Sequence, residues 1–209
     1  MKVHFYCSNL QLIDNKTDTK MNTLSSLLND FAPAKTVVEL TEQFAEIADS
    51  ALNNGYLLIN ENYKIYLLDI EFYFHTEKEN CIKDPQMYHC GNMPFFPKGS
   101  LCPNRSGVDV TFEDYKNHEY RASFLIRGYK YVDDTETYVN NEKKEDYNPQ
   151  YLWEDLFGNA SCIGSGKGLN IKWVDELNAK YFKPISGKRV NVDIITGETE
   201  HRLWRFSRN

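Results

Sequence analysis

The chain has 209 residues, with 24 Lys and Arg against 30 Asp and Glu for a net charge of −6, and 41% of its residues are apolar. That balance excludes a disordered protein and predicts one globular domain over residues 1–209. The longest apolar runs, such as Tyr56 to Ile59, fall far short of the ~20 residues that cross a bilayer, and polar residues interrupt Met1 to Cys7 before a signal-peptide core forms, so a cytoplasmic monomer without membrane contact is expected.

In chain order, the first predicted element is a helix from Val37 to Leu52. Leu40, Phe44, Ile47 and Ala51 recur at helical spacing, and Thr36 with Glu39 fits a capping box. Asn53-Asn54-Gly55 ends it. Tyr56 to Ile59 and Tyr63 to His75 flank the polar Asn60-Glu61-Asn62 and are predicted to form a hairpin. Cys81 to Asn104 holds four prolines, two glycines and three cysteines, which predicts a long irregular loop of the functional kind. Strands are predicted over Val108 to Glu113 and Ala122 to Val132. Between Asp133 and Asp155, eight acidic residues stand against Lys143 and Lys144, which equals the whole net charge, so residues 133–149 are predicted to be an exposed acidic insertion. Pro149 opens a predicted short helix to Phe157, residues 164–168 a turn, and Leu169 to Phe182 a further helix through Ile171, Val174 and Leu177. Arg189 to Ile195 and Glu200 to Phe206 are predicted to close the chain as a hairpin turning at Thr196-Gly197. The predicted fold is α+β, with a largely antiparallel sheet and flanking helices.

The stretch Asp69-Ile70-Glu71-Phe72-Tyr73-Phe74-His75 carries the most chemistry. In an extended chain Ile70, Phe72 and Phe74 face one way while Asp69, Glu71, Tyr73 and His75 face the other. Carboxylates crowded together under aromatic cover are a usual preparation for a general base, and a half-exposed strand with a wet outer face gives the same pattern.

In this context the chain resembles the mammalian-type alkyladenine (3-methyladenine) DNA glycosylases, which carry a Glu-x-x-Glu-x-Tyr strand after a helix and a hairpin. Leu67-Leu68-Asp69-Ile70-Glu71-Phe72-Tyr73 matches it at Glu71 and Tyr73. Weaker matches follow in the same order: His89, Pro97-Lys98-Gly99-Ser100-Leu101, Phe124-Leu125-Ile126-Arg127, Gly164-Ser165-Gly166-Lys167-Gly168-Leu169 and Leu203-Trp204-Arg205-Phe206. The resemblance implies one domain with a curved sheet, and hydrolysis of an N-glycosidic bond to a modified base with Glu71 activating water. It implies that Tyr73 and Phe95 or Phe96 sandwich the base, that His75 or His89 contacts the base or a phosphate, that Arg127 has a structural or phosphate role, and that the backbone near Lys167 holds a phosphate. The partner would be DNA or a nucleotide with a modified base. Ser106 stands where the family has its wedge tyrosine, and Asp109 and Thr111 replace apolar or amide residues, which suits a single-stranded or free nucleotide substrate or a binding-only descendant.

His75, Cys81, His89, Cys90 and Cys102 lack the pairing of a structural zinc site, so no metal and no cofactor are expected. Gly164-Ser165-Gly166-Lys167 lacks the spacing of a P-loop. Residues 180–209 carry seven Lys and Arg against three acids, a candidate phosphate-binding surface or an ordinary basic tail. Two functions stay open on these residues: an N-glycosylase-like hydrolase, and a non-catalytic module that binds a nucleotide, nucleic acid or protein on the same fold.

Overall fold

The computed structural model describes residues 22–76, 82–84, 86–87, 93–104, 106–133, 149–157, 168–177, 180–192 and 200–208. Two helices come first, α1 (Leu24–Asn29) and α2 (Val37–Asn53), followed by the hairpin β1 (Gly55–Ile59) and β2 (Tyr63–Thr76). Then follow β3 (Ser100–Asn104), β4 (Gly107–Thr111), β5 (Tyr120–Asp133), α3 (Pro149–Phe157), β6 (Ile171–Asp175), β7 (Ile185–Gly187) and β8 (Arg205–Ser207). The fold is α+β, built on one curled antiparallel sheet in the order β3-β4-β5-β2-β1-β6, with β8 joining β2 and β7 joining β8.

α2 forms where its apolar spacing places it. Thr36 caps its start by accepting the Glu39 N–H at 3.2 Å and donating its hydroxyl to Glu39 Oε2 at 2.8 Å, as the capping box predicts. Leu40, Phe44, Ile47 and Ala51 are buried against the sheet. The Phe44 ring stacks on Phe72 of β2 with centroids 4.4 Å apart and meets Trp204 edge-on at 5.2 Å. Trp204 in turn donates its indole N–H to Thr41 at 2.9 Å. Ile70, Phe72 and Phe74 of β2 join the same core as Phe112, Phe124 and Ile126, so the alternation read from the sequence is the alternation of the strand.

Three sequence expectations are corrected. The described residues between Leu169 and Phe182 are not helical: Ile171 and Trp173 are buried on β6, which pairs antiparallel with β1 from Ile59↔Ile171 to Gly55↔Asp175. Residues spaced at two as well as at three and four fit either period, and the free edge of β1 decided between them. The irregular Cys81 to Asn104 region ends in a strand, β3, paired with β4. The closing strands are shorter and further apart in the chain than expected, pairing Ile185–Gly187 with Arg205–Ser207, while residues 193–199 and most of the acidic insertion (134–148) lie outside the described residues.

β2 and β5 form the spine of the sheet and pair from Tyr63↔Asp133 to Thr76↔Tyr120. Their ladder shifts register around Asp69, leaving Leu68 on β2 and Arg127 on β5 outside the β2–β5 register. Such bulges bend a strand and re-aim a side chain. Gly128, opposite Asp69, permits the close approach, since a Cβ there would lie 3.0 Å from the Asp69 Cβ.

Phe44→Ala removes the ring that joins α2 to the sheet and to Trp204. Urea unfolding should show a loss of about 3–5 kcal/mol. A loss below about 1 kcal/mol would contradict this packing.

Candidate functional site

The face of the sheet opposite α2 is polar. The registers align Glu71 with Leu125 and Asp109 across β2, β5 and β4, and Tyr73 with Ser123 and Thr111. His75 lies opposite Arg121. The carboxylates and hydroxyls of this face are shielded from solvent: Glu71, Asp109, Thr111, Glu113 and Ser123 are each 0% exposed. Buried polar groups are stable where they have partners, and each of these five residues has at least one. Asp109 accepts the Ser123 hydroxyl at 3.1 Å and the Asn104 amide.

Glu71 sits at the centre. Its Oε1 accepts the Tyr73 hydroxyl and Arg127 Nη2 at 2.7 Å, and its Oε2 accepts the backbone N–H of Val190 at 2.7 Å. Burial, and after it the Glu71 charge, hold the Tyr73 phenol well above its ordinary value, so this hydroxyl stays a donor. Burial opposes the Arg127 charge, but the hydrogen bond and charge of Glu71 outweigh it and raise that guanidinium further. Arg127 shares the face of Leu125, which pairs with Glu71, and so meets the carboxylate across the two strands, at the point where the ladder shifts register. Its side chain is 16% exposed and its Nε–H is buried with no hydrogen-bond partner.

The remaining expected residues divide. His75 accepts the Asp84 N–H on Nδ1 at 3.3 Å, which ties it to the loop after β2. Phe95 is engaged by its own neighbours. Its ring lies between the Arg121 guanidinium at 3.8 Å and the His118 ring at 4.3 Å, while Arg189 lies 5.0 Å from the Tyr73 ring, which also packs with Met87 and Leu125. Arg121 holds the Phe95 loop through the carbonyls of Met93 at 2.7 Å and Pro94 at 3.2 Å. His89 and Lys167 lie outside the described residues. Among the described residues no group of three His, Cys, Asp or Glu converges as metal ligands, and no helix is long and apolar enough to cross a membrane.

Three of the seven basic residues of the C-terminal segment are ion-paired within the fold. Arg189 pairs with Asp84 and Glu200, Arg202 with Glu200 and Arg205 with Asp69. Lys180, Lys183 and Lys188 are exposed on it. A cavity of about 820 Å³ opens away from Glu71, between the α1–α2 connection and the turn leading into β5, lined by Phe31, Phe74, Lys98 and Tyr120 among others.

Sequence reasoning missed Asp84, Glu113, Val190 and Arg189. Glu113 could have been found, because it extends the polar alternation of Asp109 and Thr111. The others carry no local signal. Comparison with family models, with curated proteins and with solved structures gives no match.

Glu113 offers a test of this polar face. Burial pushes its carboxyl up to about 7 against the opposing Phe96 N–H and the Arg121 charge, and its Oε1 has no hydrogen-bond partner. A folded value above the ordinary 4.5 means that folding favours the protonated form, so its contribution is complete below pH 4.5 and is lost as pH rises through 7. Glu113→Gln should therefore remove a fall in stability of about 3 kcal/mol over that interval, read from denaturant midpoints at pH 4.5 and 8. Parallel wild-type and variant curves would contradict it.

Proposed function

We propose that the protein hydrolyses the N-glycosidic bond of a modified or damaged base, in DNA or in a nucleotide, with Glu71 activating the water. One observation carries this reading. An ionised carboxylate has about four acceptor positions, and Glu71 uses three of them, two on Oε1 and one on Oε2. Its ion-pair partner Arg127 keeps a buried Nε–H without an acceptor. The pair thus retains one acceptor position, on Oε2, and one donor, on Arg127 Nε.

The water oxygen bonds to the sugar C1′ as the C1′–N bond breaks, and the bonding electron pair leaves with the base. The water proton passes to Glu71, and the departing base takes a proton from solvent. Glu71 also faces the positive charge that develops at the sugar, which adds electrostatic support. The resemblance around Glu71, Tyr73 and Arg127 supports the same assignment. The polar sheet face, buried yet built of ionisable side chains, suits a site better than a core.

The second reading, a binding module without catalysis, draws on the covered rings: Arg189 lies against Tyr73, and Phe95 is engaged by Arg121 and His118. The two readings separate on base release. Glu71→Gln, assayed well below its melting temperature on single-stranded oligonucleotides or nucleotides with alkylated or deaminated bases, should lose ~10²- to 10⁴-fold in release while retaining binding. Its stability should fall by about 1–3 kcal/mol, because an amide cannot accept from Tyr73, Arg127 and Val190 together. A wild-type protein that binds these oligonucleotides and releases no base supports the binding module, and unchanged release by the variant removes Glu71 from the mechanism.

A further inference from the structure

Two of the three donors to Glu71 lie beside one side chain, that of Arg189. Val190 lies outside the strands, between β7 and residue 193, so the sheet ladder does not fix its N–H. The residue before it is held tightly by its side chain. The Arg189 side chain is 0% exposed. Its Nη1 donates to Asp84 Oδ2 at 2.5 Å and to the Phe72 carbonyl at 3.5 Å, and its Nη2 donates to Asp84 Oδ1 at 3.2 Å. Nε and Nη2 also reach Glu200 Oε2, at 2.8 and 2.5 Å. The five N–H groups of a guanidinium are all in use. The guanidinium carbon lies 5.0 Å from the Tyr73 ring and 5.4 Å from the Trp204 ring.

Asp84 extends the connection back to β2. It accepts the Phe74 N–H at 3.3 Å, and its own N–H reaches His75 Nδ1 at 3.3 Å. Arg202 adds a second cation, at 3.0 Å from Glu200 and 3.7 Å from Asp84. Two cations and two carboxylates balance, so the cluster adds no net charge beside the Glu71–Arg127 pair. A planar fork held at both edges also fixes direction, which a lysine ammonium cannot do.

We propose that Arg189 is a positioning residue for Glu71: clamped by Asp84 and Glu200, it sets the Val190 N–H on Oε2 and backs the Tyr73 ring, so that the remaining acceptor position of Oε2 points at the reacting water. This rests on the reading of Glu71 as the group that activates water, and it commits the loop after β2 and the C-terminal segment to one device. Misplacing a catalytic group by a fraction of an ångström lowers turnover without weakening substrate binding.

The test uses Arg189→Lys in the full chain, with Glu200→Gln as a second variant that loosens one edge of the clamp and keeps the guanidinium. Amide hydrogen exchange, followed residue by residue by NMR, should show Val190 exchanging at least about tenfold faster relative to Phe72 and Phe124 in either variant, and base release should fall in kcat by about 10- to 100-fold with KM little changed. A role confined to stability would instead accelerate all three amides together and leave kcat per folded molecule unchanged, which would overturn the proposal. Unchanged Val190 exchange in both variants would also overturn it. The exchange measurement needs no turnover. If the wild type releases no base, the hydrolase reading fails while the clamp is still decided by Val190.

Discussion

A carboxylate with no exposed surface governs this protein. Removing an ion from water costs several kcal/mol unless charge and hydrogen bonds replace the lost hydration. Glu71 meets that requirement with donors from three places: Tyr73 on its own strand, Arg127 on the neighbouring strand, and Val190 from the C-terminal segment. Much of the architecture follows. β2 lies inside the sheet, so partners reach it from both sides, and on β5 Arg127 shares the face of Leu125, which pairs with Glu71.

The two faces of β2 divide the labour. Ile70, Phe72 and Phe74 join α2 and Trp204 in a core of stacked and edge-on rings that supplies the stability of the fold. The opposite face carries Glu71 and Tyr73 beside Asp109, Thr111, Ser123 and Glu113, groups that burial alone would disfavour. A face of this kind is the pattern of a site that departs from the stability optimum, and the rigid aromatic face behind it holds its geometry.

The sequence revealed this division because it is local. Alternation along residues 69–75 and the spacing of Leu40, Phe44, Ile47 and Ala51 each follow from a backbone period, and the Thr36–Glu39 cap is a four-residue motif. The misread parts depend on distant partners. Ile171 to Asp175 became a strand because β1 offered an edge, although its spacing also fits a helix. Arg189 looked like one of seven basic residues available for phosphate. Its pairing with Asp84, 105 residues earlier in the chain, has no trace in local pattern. The same holds for Val190, which contributes a backbone N–H and no side-chain chemistry at all.

Whether Glu71 faces a developing sugar cation can be measured directly. The comparison is between single-stranded DNA carrying a cationic pyrrolidine in place of one deoxyribose and the same oligonucleotide carrying a neutral tetrahydrofuran, each bound to wild type and to Glu71→Gln. A carboxylate that stabilises the transition state prefers the cation by about tenfold or more, and the preference disappears in the variant. Equal binding of the two oligonucleotides by the wild type, or a preference that survives Glu71→Gln, would contradict a catalytic role for this carboxylate.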